Sequence, residues 1–362
     1  MTHSVPSDGD SGQLPAHSAG VTFTPYATSA EAWRKVLVCA PSVPPGYEPI
    51  HLDYYNRYFS EQSPSFTDLS VVVWLEGRPV AVWALQLTGL PDGRWTIGTN
   101  GGAVLAPCLI TDVSGKNQKR IRRECMRFLA DTCEKHDIAT WTTSDVCKAD
   151  GMTPWQQLAN QLAISNSVDT EMYVDLKDSL DAIRSQFRKR AKSNLSIALK
   201  KWNCESIQGI DSPAFEGFFR LHVEVSGRQT RSRETWDLQR RAILEKKAYL
   251  VVLRSPDSQM VGGGLFITSE TDAYYGVAVN RRELFDQPIG HLVLWEAIRF
   301  AKESGKRWFD LGTRLYRNLD PHCTPKELSI SDFKEAFATR LFPKIRSVIQ
   351  RNSLTNSLGE DN

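Results

Sequence analysis

The residues best suited to chemistry gather in one stretch, Tyr274 to Arg314, and in a few segments around it. Asp310 stands near the end of a short strand-like run, Trp308 to Leu311, just before Gly312. Open α/β sheets bind ligands beyond the carboxyl ends of their strands, so a carboxylate there can deprotonate or orient a nucleophile. It can equally cap the next turn. Tyr274 and Tyr275 belong to the neighbouring strand, and at least one of them is expected in the core. Gln287-Pro288-Ile289-Gly290-His291-Leu292 opens a helix, and unpaired amides at a helix start attract anions. The plain alternative is a proline-punctuated loop with a capping glycine, with His291 either a base or a filler. Gly262, Gly263 and Gly264 interrupt a strand, which implies a bulge or close approach of something to the backbone. Arg228, Arg231 and Arg233 lie in one loop, Ser226 to Arg233, and arginine forks suit phosphates unless the loop is merely solvated.

These residues need a frame. Tyr274 to Val279 reads as a strand, Gly290 to Ser304 as an amphipathic helix, and Trp308 to Leu311 as a second strand. Gly305 stands where a C-cap glycine would close that helix. A helix joining two strands is a crossover, so the strands are expected to be parallel. Upstream, Ile183 to Lys201 reads as one helix. Its part from Arg184 on holds seven basic residues, Arg188 among them, and no acid, which suits a phosphate-rich partner. Leu69 to Leu75 and Pro79 to Leu87 form a hairpin at Glu76-Gly77, and Lys116 to Lys135 a long helix. Ser331 to Thr339 is the last expected helix; Phe333 and Phe337 share its buried face and Lys334 sits at the edge of that face. Each half of the chain thus reads helices, three antiparallel strands, then helix and strand.

Length and composition narrow the classes. The 362 residues are comfortable for two cores, and a formal net charge of +2 argues for no partner. Seven scattered cysteines without a C-x-x-C pair suit free thiols in a cytoplasm. No apolar run spans a bilayer and no secretory signal appears. No P-loop, Rossmann fingerprint, nucleophile elbow or metal-ligand spacing is present, so no metal is expected. The expected organisation is a disordered tail over 1–20, domains over 21–166 and 167–345, and a flexible tail over 346–362.

Leu294-Trp295-Glu296-Ala297-Ile298, Ala301-Lys302-Glu303, Gly305 and Phe309-Asp310-Leu311-Gly312 resemble the FemAB-like branch of the GNAT acyltransferases. So do Lys326-Glu327, Ile330, Phe333-Lys334, Phe337 and Pro343, and the basic run from Arg188 to Lys200. The resemblance runs from Val174 to Pro343 and is weak before that. It implies an α/β protein with mixed sheets in two tandem GNAT-like domains. It implies an acyltransferase moving an acyl group, acetyl from acetyl-CoA first, to an amino group of a sugar or cell-envelope precursor. The acceptor would be a small amino sugar or a nucleotide-linked one. An alternative donor is aminoacyl-tRNA, as in peptidoglycan-bridge synthesis. A third reading is a catalytically silent GNAT fold that binds a nucleotide-sugar. On this resemblance the donor's pyrophosphate lies at Gln287 and Gly290, although Leu292 stands where the family has a small residue. A pantetheine-like arm passes Gly263 and Gly264. Asp310, Lys334, His291 and Tyr275 are the catalytic candidates, with Lys334 bordering the donor channel. Arg188, Arg228, Arg231 and Lys326 are the candidate substrate contacts.

Overall fold

The structure, a computed structural model, describes residues 20–352 apart from 149, 320 and 321. Apart from Gly20, the expected N-terminal tail lies outside them. In the first half the chain runs β1 (Val21–Pro25), α1 (Ala30–Cys39), α2 (Pro49–Gln62), β2 (Phe66–Asp68), β3 (Val71–Leu75) and β4 (Arg78–Trp83). It continues through β5 (Gln86–Gly89), β6 (Trp95–Gly98), β7 (Cys108–Leu109), α3 (Gly115–Lys135), β8 (Thr140–Val146) and α4 (Pro154–Leu162). Then come β9 (Ala163–Asp175), α5 (Leu180–Gln186), α6 (Lys189–Lys201), β10 (Asn203–Ile207), α7 (Ala214–Ser226) and α8 (Arg233–Leu244). The last elements are β11 (Ala248–Arg254), β12 (Met260–Thr268), β13 (Asp272–Asn280), α9 (Ile289–Glu303), β14 (Trp308–Arg314), α10 (Pro325–Glu335) and β15 (Arg340–Gln350).

The strands form a sheet ordered β1-β3-β4-β7, a small one ordered β2-β5-β6, and an eight-stranded one ordered β10-β11-β12-β13-β14-β9-β15-β8. The hairpin at Glu76-Gly77 forms as expected, both residues taking positive φ (52° and 79°), which matches the twist of the strands. The run beginning at Pro79 breaks at Ala84 and Leu85, so β4 and β5 join different sheets. The crossover is also as expected: β13 and β14 are parallel, joined by α9, which packs nine buried residues, Leu294, Ala297, Ile298 and Ala301 among them, against the sheet.

Three expectations are corrected. The basic helix is two, broken at Phe187-Arg188, because Phe187 turns inward onto Trp295 and Phe337. The last helix begins earlier, at Pro325, because Thr324 and Glu327 form a capping box with proline at the first position. Residues 346–350 are not a flexible tail: they complete β15, which pairs with β8 on one side and β9 on the other. β9 itself runs across the expected boundary at 166/167. Its first residues pair with β15 alone, Thr170 to Tyr173 with both neighbours, and Val174 and Asp175 with β14.

Candidate active site

β13 and β14 touch only briefly. Asp272, Ala273 and Tyr274 pair with Trp308, Phe309 and Asp310; beyond that β13 stays with β12 and β14 goes on with β9. The strands therefore part at Tyr274 and Asp310. A bulge in β12–β13 beside Gly276 and another in β14–β9 around Leu311 sharpen the parting. Gly312 has φ 88°, which a side chain would strain, and a Cβ there would lie 3.9 Å from Lys334 Nζ. Into this gap the protein brings three of the expected residues, Asp310, Lys334 and Tyr275.

Asp310 Oδ1 accepts the Gly312 amide at 2.7 Å, and the Tyr173 hydroxyl donates to the same carboxyl. Burial, and then the charge of Glu171, push the carboxyl up to about 7. Glu171 is buried on β9, where it accepts the Thr313 hydroxyl at 2.8 Å and lies 3.5 Å from Lys344 Nζ. Lys334 is half-buried beside Phe333, as the helix pattern suggests. It reaches from α10 into the gap, its Nζ 4.1 Å from the centre of the Tyr275 ring. Burial pulls it down to about 8 against the opposing pull of Asp310 and Glu171. The Tyr275 phenol is pushed up to about 12 by burial alone, so it is a neutral donor and a ring wall.

On the face of the sheet carrying α9 and α10, a cavity of about 510 Å³ opens beside Phe333. Its lining includes Arg188, Arg190, Gln287, Pro288 and His291. Here α9 starts with no side-chain cap and no acid in its first turn, which leaves its positive end open. Arg188 is held to Glu335 Oε1 at 2.6 Å, and Gln287 Oε1 accepts from Lys201 at 2.9 Å. A Cβ on Gly290 would lie 3.4 Å from Asn280 Nδ2 and 3.6 Å from Phe333, ordinary contact distances that place Phe333 of α10 against the start of α9. His291 also lines this cavity, but it is a packed ring. Its Nε2 lies 3.1 Å from Asn194 Nδ2, Phe333 and Phe337 stand against it, and burial followed by Arg190 pulls it down to about 4.

On the opposite face a second cavity, about 200 Å³, lies between α2 and α8 and is floored by β12 and β13. Tyr54, Tyr55, Tyr58, Arg231 and Tyr274 line it. Arg231 donates to the Tyr54 hydroxyl at 2.8 Å and lies over the rings of Trp236 and Tyr58. Arg228 is elsewhere: it is exposed, with its backbone carbonyl accepting from Ser226. Lys326 is likewise exposed, in the first turn of α10. Gly263 and Gly264 take the plainer of their two readings, close approach within the sheet. Both are buried in mid-sheet, where Cβ atoms would meet Val251 O at 2.7 Å and the Phe266 ring at 2.8 Å. They permit close packing at these two points.

Sequence reasoning missed Glu171, Tyr173, Lys344 and the α2 tyrosines as site residues. The alternation of Glu171 and Tyr173 about Met172 was the available signal, since it puts both on one face of a strand. Among the described residues no group of three His, Cys, Asp or Glu side chains could hold a metal ion, and no helix is long and apolar enough to cross a membrane.

With this geometry in view, comparison with known proteins settles the fold. No family model matches the chain, and no curated protein does. Solved structures do. FemX superposes with a TM-score of 0.63 at 12% identity, over 93% of this chain and 99% of that one. The fold is that of FemX, two GNAT-like units in tandem. L-PGS from Bacillus licheniformis is similar at a TM-score of 0.56 and 14% identity, covering 89% and 92%. A conserved protein of unknown function from Bacteroides thetaiotaomicron matches equally well at 7% identity, covering 89% and 97%. In this fold β13 and β14 part after Tyr274 and Asp310.

Proposed function

We propose that this Fem-like chain is an N-acyltransferase, moving an acyl group from a phosphate-bearing donor to a primary amine. One observation carries the reading. Asp310, Lys334 and Tyr275 meet where two parallel strands part, between a cavity lined by Arg188, Arg190, Asp286, Asp332 and the start of α9 on one face and a tyrosine-lined cavity on the other. A donor held at Arg188, Arg190 and the start of α9 places its phosphates against positive charge and passes its acyl end towards the gap. Lys334 then faces the reacting carbonyl and stabilises the oxygen as charge builds on it. Asp310, with a pKa near neutrality, takes the proton that the amine must lose. The amine attacks the acyl carbon, the bond to the donor's sulfur or oxygen breaks, and that atom leaves with the electron pair.

Acetyl-CoA is the first donor to test, with an amino sugar or cell-envelope precursor as acceptor. Aminoacyl-tRNA is the second, favoured by the exposed basic residues Lys189, Arg190, Lys200 and Lys201 on α6 beside the donor cavity. The test is release of free thiol from acetyl-CoA in the presence of a panel of amino sugars. Acceptor-dependent release supports the first donor. No release, together with a salt-sensitive gel shift by charged tRNA, transfers the reading to the second. Neither result leaves a silent binding fold and overturns the enzyme.

A further inference from the structure

The tyrosine-lined cavity holds more polar atoms than the protein itself satisfies. Gln239 is only 5% exposed, and its Oε1 has no hydrogen-bond partner. Arg231 Nε is buried and equally unpartnered. Near them His222 Nδ1, Thr230 Oγ1 and Trp236 Nε1 are buried without partners too, with the His222 and Trp236 rings 5.1 Å apart. Native proteins keep few such atoms, because each loses its water and gains nothing in return. Gln239 and Arg231 both line the cavity, so a ligand can supply what each lacks: a hydrogen-bond donor for Gln239, and an anionic oxygen for the arginine.

The walls restrict the ligand further. Tyr54 and Tyr58 stack with ring centres 5.9 Å apart at 14°, and both come from α2, in the first half of the chain. Leu265, Tyr274 and Val277 of the second half face them. Aromatic walls suit the C–H face of a single ring. The enclosed volume, about 200 Å³, lies below the roughly 300–1,000 Å³ usual for drug-sized ligands. The cavity also leads to the reaction centre. Tyr274 pairs with Asp310 across the strands, and its phenol feels the charges of both Asp310 and Glu171.

We propose that this cavity is the acceptor subsite, that both halves of the chain build it, and that it takes a compact amine of single-ring size. That amine carries a hydroxyl for Gln239 and one anionic group for Arg231, and it is not nucleotide-linked. The word acceptor rests on the acyl-transfer reading; the ligand's size and chemistry rest on the cavity alone.

The experiment is calorimetric binding of D-glucosamine 6-phosphate and of UDP-glucosamine to the full chain, wild type and Gln239→Leu. The expected result is binding of the monosaccharide phosphate, at least tenfold weaker binding of the nucleotide-linked sugar, and roughly tenfold loss in Gln239→Leu. The melting temperature of Gln239→Leu should equal or exceed that of wild type, because the change removes an unpaired buried oxygen. Tyr58→Leu, on the half-buried wall, is the second variant, with the same expected loss. Tighter binding of UDP-glucosamine, no binding of either sugar to wild type, or wild-type affinity in both variants overturns the subsite. Thiol release is measured separately. Monosaccharide binding with neither thiol release nor a gel shift by charged tRNA overturns the enzyme reading and leaves the ligand site standing.

Discussion

Asp310 and Lys334 are both held away from their ordinary ionisation, and the cause is the same for each. Both sit where the sheet excludes water, so their charged forms lose solvation. For Asp310 the folded value lies above the ordinary one. Its contribution to stability is therefore complete below the ordinary carboxylate range and lost as pH rises through about 7. Replacing it with asparagine should stabilise the protein at pH 8 by roughly 1–3 kcal/mol, with the advantage fading towards pH 4. Thermal melts at the two pH values check this, and a variant less stable than wild type at pH 8 would show that Asp310 is paired rather than isolated. The same residue should give activity that rises with pH through about 7, a limb that Asp310→Asn abolishes along with most turnover. Lys334 runs the other way. Its folded value is lowered, so its cost to stability is present below about 8 and fades at higher pH. Lys334→Met keeps the stem and removes the charge. Turnover should fall by about 10²–10³ while the melting temperature holds or rises. Wild-type turnover in a folded Lys334→Met protein would remove the lysine from the mechanism.

Among the elements, the loop between α7 and α8 shows how far residue type can be read without a structure. From sequence alone, Arg228 and Arg231 are equivalent: two forks in one loop, both suited to a phosphate. Folding separates them. Gly227 closes α7 in a left-handed conformation and leaves Arg228 in solvent, whereas Arg231 turns inward onto Trp236 and Tyr54. Arg231→Ala should therefore weaken binding of an anionic acceptor by roughly 1.5–3 kcal/mol, and Arg228→Ala should leave it unchanged. Calorimetry on the two variants decides it, and equal losses in both would refute the separation. The same limit explains the other misses. The crossover from β13 through α9 to β14 was legible because its signals are local, a 3.6-residue period and a C-cap glycine, although β14 runs on past Asp310 to Arg314. Gly263 and Gly264 were read only in part, because a glycine in a strand says only that something comes close. Here that something is Val251 O and the Phe266 ring, residues of the core itself. The α2 tyrosines gave no functional signal because their partner, Arg231, is 177 residues from Tyr54.

At the scale of the whole molecule, the division into two halves was read from repeated element order, and pairing across the halves was invisible to that reading. A strand's partner depends on what lies beside it in space, which no local period encodes. Here the joint is a pair of long strands. β9 leaves the first half and enters the sheet of the second, while β15 returns from the end of the second half to lie between β9 and β8. The proposed reaction centre hangs on this joint: β9 supplies Glu171 and Tyr173, β15 supplies Lys344, and Asp310 faces them from β14. Ile349, fully buried near the end of β15, packs into the core of the first half opposite Trp141 of β8, which lies far earlier in the chain. Ile349→Ala should then cost roughly 2–4 kcal/mol through the cavity it leaves. Because the strands join both cores, that loss should lower one shared unfolding transition rather than release the first half alone. Calorimetry alongside tryptophan fluorescence tests this, since Trp33, Trp83 and Trp155 report on the first core and Trp236 and Trp295 on the second. Two separated transitions in Ile349→Ala, with the second at its wild-type temperature, would mean that the halves fold independently and that the reaction centre draws no rigidity from the joint.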